Sequence, residues 1–141
     1  MSASASSKSC GRVVALDLGE ARCGVAISDE TASIARPLEV VPEEELGGYL
    51  RGLFEEQDIS LVVVGVPKTL GGEIGFQARR ALERVERLED EFPGVRFVRW
   101  DERLTTRVAA AGRGRRKRRG PVDHLAAAHM LQEYLRSQEA R

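Results

Sequence analysis

The chain is poor in cysteine and aromatics, has no long apolar run, and carries no net charge; each shortage excludes something. Two cysteines in 141 residues do not make a disulfide framework, and the interval from Cys10 to Cys23 matches no zinc-ligand spacing. A buried Cys23 and a free Cys10 are expected, the cysteine usage of a reducing cytoplasm. No apolar stretch approaches the length of a membrane span. Met1 to Ser9 is rich in Ser and Ala without an apolar core, so it does not read as a signal peptide. The expectation is a soluble, cytoplasmic protein with no membrane partner. Aromatics make up 5% of the chain, and Trp100 is expected in the core rather than as a base-stacking platform. The absence of net charge hides a segregation. Residues Arg113 to Arg119 hold six positive charges in seven positions, and the remainder is acidic by the same amount. That pattern points to local binding of a polyanion rather than to a basic surface everywhere.

What is present suits an ordinary globule. The hydrophobic share is 42% and the charged share 31%, and the length fits one domain with a real core. Residues 12–137 are assigned to that domain, with a disordered tail over 1–11 and a short one over 138–141. Val13-Val14-Ala15-Leu16 is an apolar, β-branched run that reads as a strand buried on both faces, ending on Asp17. Gly24 to Ser28 reads as a returning antiparallel strand. Ser33 to Val41, with Pro37 near its middle, reads as an edge strand. Pro42 and the acids Glu43 to Glu45 open a helix running to about Gln57, with Leu46, Leu50, Leu53 and Phe54 on one face. Leu61 to Val66 is a second fully buried strand. Phe76 to Phe92 is an amphipathic helix with the stripe Ala78, Ala81, Leu82, Val85, Leu88, Phe92. Val95 to Trp100 is a strand, Leu104 to Ala111 a short helix, Gly112 to Gly120 a basic loop and Pro121 to Ser137 the last helix. This order implies an α/β fold: a mixed sheet, three strands in an antiparallel meander followed by alternating helices and strands, with helices on both faces.

Three acidic positions gather at predicted element ends. Asp17 ends the first strand, where a carboxylate is costly unless paired or bound to a cation; the alternative is an Asx-type turn. Asp101 and Glu102 end a later strand, and Asp123 precedes Ala126-Ala127-Ala128 in the last helix. If the first and later strands are neighbours, Asp17 meets one of Asp101 and Glu102 at the carboxyl edge of the sheet, where ligands bind. The small alanine face would bring Asp123 to the same point. Carboxylates forced together repel unless a divalent cation neutralises them. Two such ions roughly 4 Å apart can activate water for phosphodiester hydrolysis. Taken singly, Asp123 could be a helix-dipole acid and Asp101-Glu102 an ion pair with Arg103. The basic run beside Asp123 would offset the repulsion between such a cluster and a polyanion, holding phosphates without reading sequence. His124 and His129, five apart, are given no catalytic role, His129 being expected packed and His124 exposed.

These motifs resemble the YqgF/RuvX family of RNase H-like bacterial proteins, to which maturation of the 5′ end of pre-16S ribosomal RNA is ascribed. The resemblance runs from Val13 to Leu135. It rests on Leu16-Asp17-Leu18-Gly19 with Arg22; Gly24-Val25-Ala26-Ile27-Ser28-Asp29; Ala35-Arg36-Pro37-Leu38; Val63-Val64-Gly65-Val66-Pro67 with Gly71-Gly72; Asp101-Glu102-Arg103-Leu104-Thr105-Thr106; and Lys117-Arg118-Arg119-Gly120-Pro121-Val122-Asp123 with Leu125-Ala126-Ala127. The resemblance implies an RNase H-like domain and metal-dependent cleavage of nucleic acid, with Mg2+ or Mn2+ as cofactor. Asp17, Asp101 or Glu102, and Asp123 map onto the family's acids. Neighbouring strand residues point to opposite faces, so one of Asp101 and Glu102 is expected to reach the metal, and Glu102 is favoured for its reach. Arg22, Arg103, Arg115, Arg116, Lys117, Arg118 and Arg119 are the expected nucleic-acid contacts. The implied partner is pre-rRNA, within ribosomal precursor particles, with branched DNA as the alternative and the protein a monomer or homodimer. Departures are Leu18 for a common proline, Glu20 for a small polar residue, and Lys68-Thr69-Leu70 without the expected asparagine. A DNA junction resolvase and a non-catalytic ribosome-assembly factor are the competing readings.

Overall fold

A computed structural model describes residues 11–19, 21–66, 75–101 and 124–139. The expected short helix at 104–111, the basic loop, the loop at 68–75 up to residue 74, Glu20 and Cys10 lie outside the described residues. Strands β1 (Arg12–Leu18), β2 (Arg22–Ser28), β3 (Ala35–Pro42), β4 (Ile59–Val66) and β5 (Phe97–Asp101) form one sheet in the order β3-β2-β1-β4-β5. β1–β2 and β2–β3 pair antiparallel, whereas β1–β4 and β4–β5 pair parallel. The helices are α1 (Leu46–Glu56), α2 (Gly75–Glu91) and α3 (His124–Glu139), and a 3-10 turn, Glu43–Glu45, leads into α1. The mixed sheet and its meander are those read from the sequence.

Strand alternation divides the core in two. Val14 and Leu16 of β1 join Val25 and Ile27 of β2, Val62 and Val64 of β4, and the buried stripes of α1 and α2. On the other face, Val13 and Ala15 join Ala26, Val63 and the α3 residues Ala127, Met130, Leu131, Tyr134 and Leu135. β1 is therefore buried on both sides, as its uninterrupted apolar run requires. Along α2, Ala81, Val85 and Leu88 are buried, and Phe92 just beyond it meets Phe54 edge-to-face at 5.0 Å. Trp100 meets Tyr134 edge-to-face at 5.3 Å and packs against the α3 cluster, a core role.

β3 is an edge strand, the position Pro37 implies because proline cannot donate to a second neighbour. The pairing of β2 with β3 shifts register between Val25 and Ala26, next to that proline. Gln132 of α3 closes the start of β3: the Ala35 amide donates to Gln132 Oε1 at 2.9 Å, and Gln132 Nε2 donates to the Ser33 carbonyl at 3.0 Å. The β2–β3 turn is built on Asp29, whose carboxylate accepts from the amides of Ile34 and Ser33 and the hydroxyl of Thr31. The Ile34 amide, the Thr31 hydroxyl and the Ser33 amide hold the Asp29 carboxyl well below the usual carboxylate range.

Candidate active site

Because β1, β4 and β5 are parallel, their carboxyl ends share one edge of the sheet. Asp17 is the penultimate residue of β1 and is half-buried there. Its register partners are Gly24 on β2 and Gly65 on β4, and Gly65 in turn pairs with Trp100 on β5. Residues in register stand on the same face. The row Gly24–Asp17–Gly65–Trp100 thus sets a carboxylate between two positions with no side chain. Gly24 lies inside β2, as its strand reading expected, and both glycines are buried. Asp17 takes the alternation of Val13 and Ala15, so it stands on the α3 face.

The expected meeting of Asp17 with the Asp101-Glu102 pair assumed that their strands adjoin. They do not: β4 lies between β1 and β5. Two strand spacings, roughly 10 Å, separate Asp17 from the end of β5. Asp101 is the last residue of β5, in register with Val66. Position 101 has the alternation of Phe97, which packs on the α1/α2 face, and position 100 has that of Asp17. Glu102, Arg103, Asp123 and the run Arg115, Arg116, Lys117, Arg118 and Arg119 lie outside the described residues. Among the described residues no three His, Cys, Asp or Glu side chains cluster as a metal would need.

α3 packs across β1, β2 and β3. Ala127 is buried and Ala128 half-buried against this face, but Ala126 is exposed, so the close approach uses two of the three alanines. His129 is half-buried as expected; His124 is half-buried too, not exposed, because it sits in the first turn that α3 lays on the sheet. His124 Nδ1 and His129 Nε2 are buried without a hydrogen-bond partner among the described residues.

The turn leaving β1 is tied at several points. The Gly19 amide donates to the Arg22 carbonyl at 2.8 Å, and the Glu43 amide to the Ala21 carbonyl at 2.9 Å. Arg22, the first residue of β2, is exposed at the same sheet edge as Asp17. Arg84 of α2 reaches the turn, its Nη1 donating to the Gly19 carbonyl at 2.7 Å and its Nε lying 3.2 Å from Glu43 Oε2. Beneath the turn, burial first and the Asp17 charge second push the Cys23 thiol up to about 12, with the Arg84 guanidinium opposing. Cys23 is an inert, buried thiol. Sequence reading named Gly65 only within the family motif, without a role beside the acid, and missed Arg84. Gly65 could have been noticed as a lone glycine in a valine strand; nothing in the sequence sets Arg84 apart from the other arginines of α2.

A five-stranded mixed sheet of this order, helices on both faces and an acid at the carboxyl end of the central strand define an RNase H-like domain. The solved structure titled "T. thermophilus RuvC in complex with Holliday junction substrate" shares that fold, with a TM-score of 0.59 at 18% identity, covering 92% of this chain and 96% of that one. The chain belongs to the RuvX family, whose model, described as Holliday junction resolvase, matches residues 11–137. A relative from Rubrobacter xylanophilus, named "Putative pre-16S rRNA nuclease", is 60% identical over 129 residues, 89% of this chain and 92% of its own. A relative of the same name from Desulforudis audaxviator is 39% identical over 138 residues, 92% of this chain and 96% of its own. Among the described residues no helix is long and apolar enough to cross a membrane.

Proposed function

We propose that this protein is a metal-dependent nuclease that hydrolyses phosphodiester bonds in 5′-end maturation of pre-16S rRNA. Asp17, Glu102 and Asp123 hold the metal, and the single domain spans residues 12–137. The observation that carries the reading is Asp17, a half-buried carboxylate on the central strand with glycines in register on both sides. A hard oxygen donor at the end of a buried strand suits Mg2+ or Mn2+, which take one or two carboxylates together with water and phosphate oxygens. When bound, such ions supply an activated water and stabilise the leaving oxygen.

Glu102 is preferred to Asp101 on alternation. Trp100 shares the face of Asp17, so position 101, one residue on, has the opposite parity. A glutamate also spans more of the width that β4 interposes. Arg22, exposed at the same edge, contacts backbone phosphate, as do Arg103 and the run Arg115, Arg116, Lys117, Arg118 and Arg119. Phosphate contacts fix position and affinity, and their loss weakens binding on every sequence alike.

The description of the family model favours one competing substrate, a four-way DNA junction. Cleavage of a labelled pre-16S leader, an unrelated single-stranded RNA and a four-way junction, each with Mg2+ or Mn2+, tests the proposal. Cutting of the leader in preference to the junction is expected, with Glu102→Gln losing it and Asp101→Asn retaining it. Preferential cutting of the junction would replace the substrate. Binding without cutting of any of the three would leave a binding factor in place of an enzyme.

A further inference from the structure

We infer that Arg84 is a positioning residue, holding the end of β1 so that Asp17 keeps its place; the inference rests on reading Asp17 as a metal-holding acid. The arginine sits where a guanidinium is expensive. Its side chain is 11% exposed, and desolvating a charge costs more than one ion pair returns unless the geometry is good. An apolar side chain would fill the same place more cheaply, so packing does not explain the residue. Nor is its hydrogen-bonding complete: Nη2 is buried without a partner among the described residues. What the guanidinium does achieve is specific. Nη1 and Nε bind the Gly19 carbonyl and the Glu43 carboxylate, while the Glu43 backbone amide holds the Ala21 carbonyl. One arginine thereby links both legs of the turn to α2.

The end of β1 carries the acid two residues before the turn that Arg84 holds. Gly24 and Gly65 flank Asp17 in register, so the two positions directly beside it carry no side chain. Only the pair Leu18–Cys23 lies between Asp17 and the turn. A carboxylate that must meet a cation at a fixed distance needs the backbone that carries it held in order, and Arg84 ties that backbone from outside the sheet. This is the part that outer partners of metal ligands play, and losing one costs about 10- to 100-fold in metal affinity or activity.

The test uses the full chain and four variants: Arg84→Met, Arg84→Lys, Val85→Ala and Asp17→Asn. Val85 is fully buried next to Arg84 on α2, so its truncation destabilises the fold without touching the turn. Calorimetric titration with Mn2+ is expected to weaken about tenfold in Arg84→Met, partly recover in Arg84→Lys and stay at the wild-type value in Val85→Ala. RNA binding without metal should be unchanged in Arg84→Met. Wild-type Mn2+ affinity in Arg84→Met, or an equal loss in Val85→Ala, would overturn the inference. If Arg84→Met does not fold, Arg84→Lys carries the same comparison. Should Asp17→Asn bind Mn2+ as wild type does, the metal reading of Asp17 fails instead. Arg84 is then judged by amide hydrogen exchange of Leu18 and Gly19 in the metal-free protein. Faster exchange in Arg84→Met than in Val85→Ala supports the pinning, and equal exchange overturns it.

Discussion

Replacing Gln132 by Leu removes the contact that joins the last helix to the edge strand. The side-chain amide makes two hydrogen bonds, to the Ala35 amide at 2.9 Å and the Ser33 carbonyl at 3.0 Å. Each is worth about 1 kcal/mol net. All three residues are half-buried, so water can reach only part of what is freed. The expected cost is about 1–2 kcal/mol, a fall of roughly 3–7 °C in Tm for a domain of this size. Urea unfolding measures it, with the midpoint falling at constant slope. The Ala35 amide should also exchange faster with solvent. A second replacement, Gln132→Glu, separates hydrogen bonding from packing. Its carboxylate can accept from the Ala35 amide but cannot donate to the Ser33 carbonyl, so folding favours the protonated form. The introduced group then has a raised folded-state pKa, and its deficit should shrink as pH falls towards the unfolded value near 4. A loss in Gln132→Leu within about 0.5 kcal/mol, the scatter of surface substitutions, would refute the reasoning.

Three further outcomes follow from other parts of the structure. Gly65→Val places a branched side chain in register beside Asp17 at a buried position; Tm should fall, cleavage by the protein that remains folded should fall about 100-fold, and unaltered cleavage would contradict a role for the bare position. Asp29→Ala should destabilise the protein at neutral pH, because the depressed folded-state pKa of Asp29 contributes stability above the unfolded value near 4. That contribution disappears as pH falls through the folded value, so unfolding curves of variant and wild type should converge in strong acid. Cys23, with its thiol pushed up to about 12 by burial, should resist iodoacetamide at pH 8 in a Cys10→Ser background and react only on unfolding. Rapid native-state labelling would contradict its burial.

Most of the fold could be read from local pattern. The run Val13 to Leu16 must be covered on both sides, Pro37 marks an edge, and the apolar stripe of α2 repeats at helical spacing. These are properties of short stretches, set by side-chain periodicity and backbone chemistry. Strand order is a different kind of property. The position of β4 between β1 and β5 depends on pairing across the whole sheet, and no residue near Asp17 or Asp101 encodes it. The same holds for Gln132 and Arg84, whose partners lie far along the chain. Asp17 was legible as an acid at a strand end, but its glycine neighbours became meaningful only with the register. Gly24 was legible as a strand residue, but its place beside Asp17 needed the register.

The central claim is that Asp17 holds the metal that cleaves RNA. Its most direct test is the rate of pre-16S leader cleavage by wild type and Asp17→Asn across a titration of Mn2+, with RNA binding followed in parallel. The account predicts cleavage that rises with Mn2+ in wild type and is lost in Asp17→Asn, while the variant binds RNA as tightly as before. Cleavage by Asp17→Asn at the wild-type rate would contradict it.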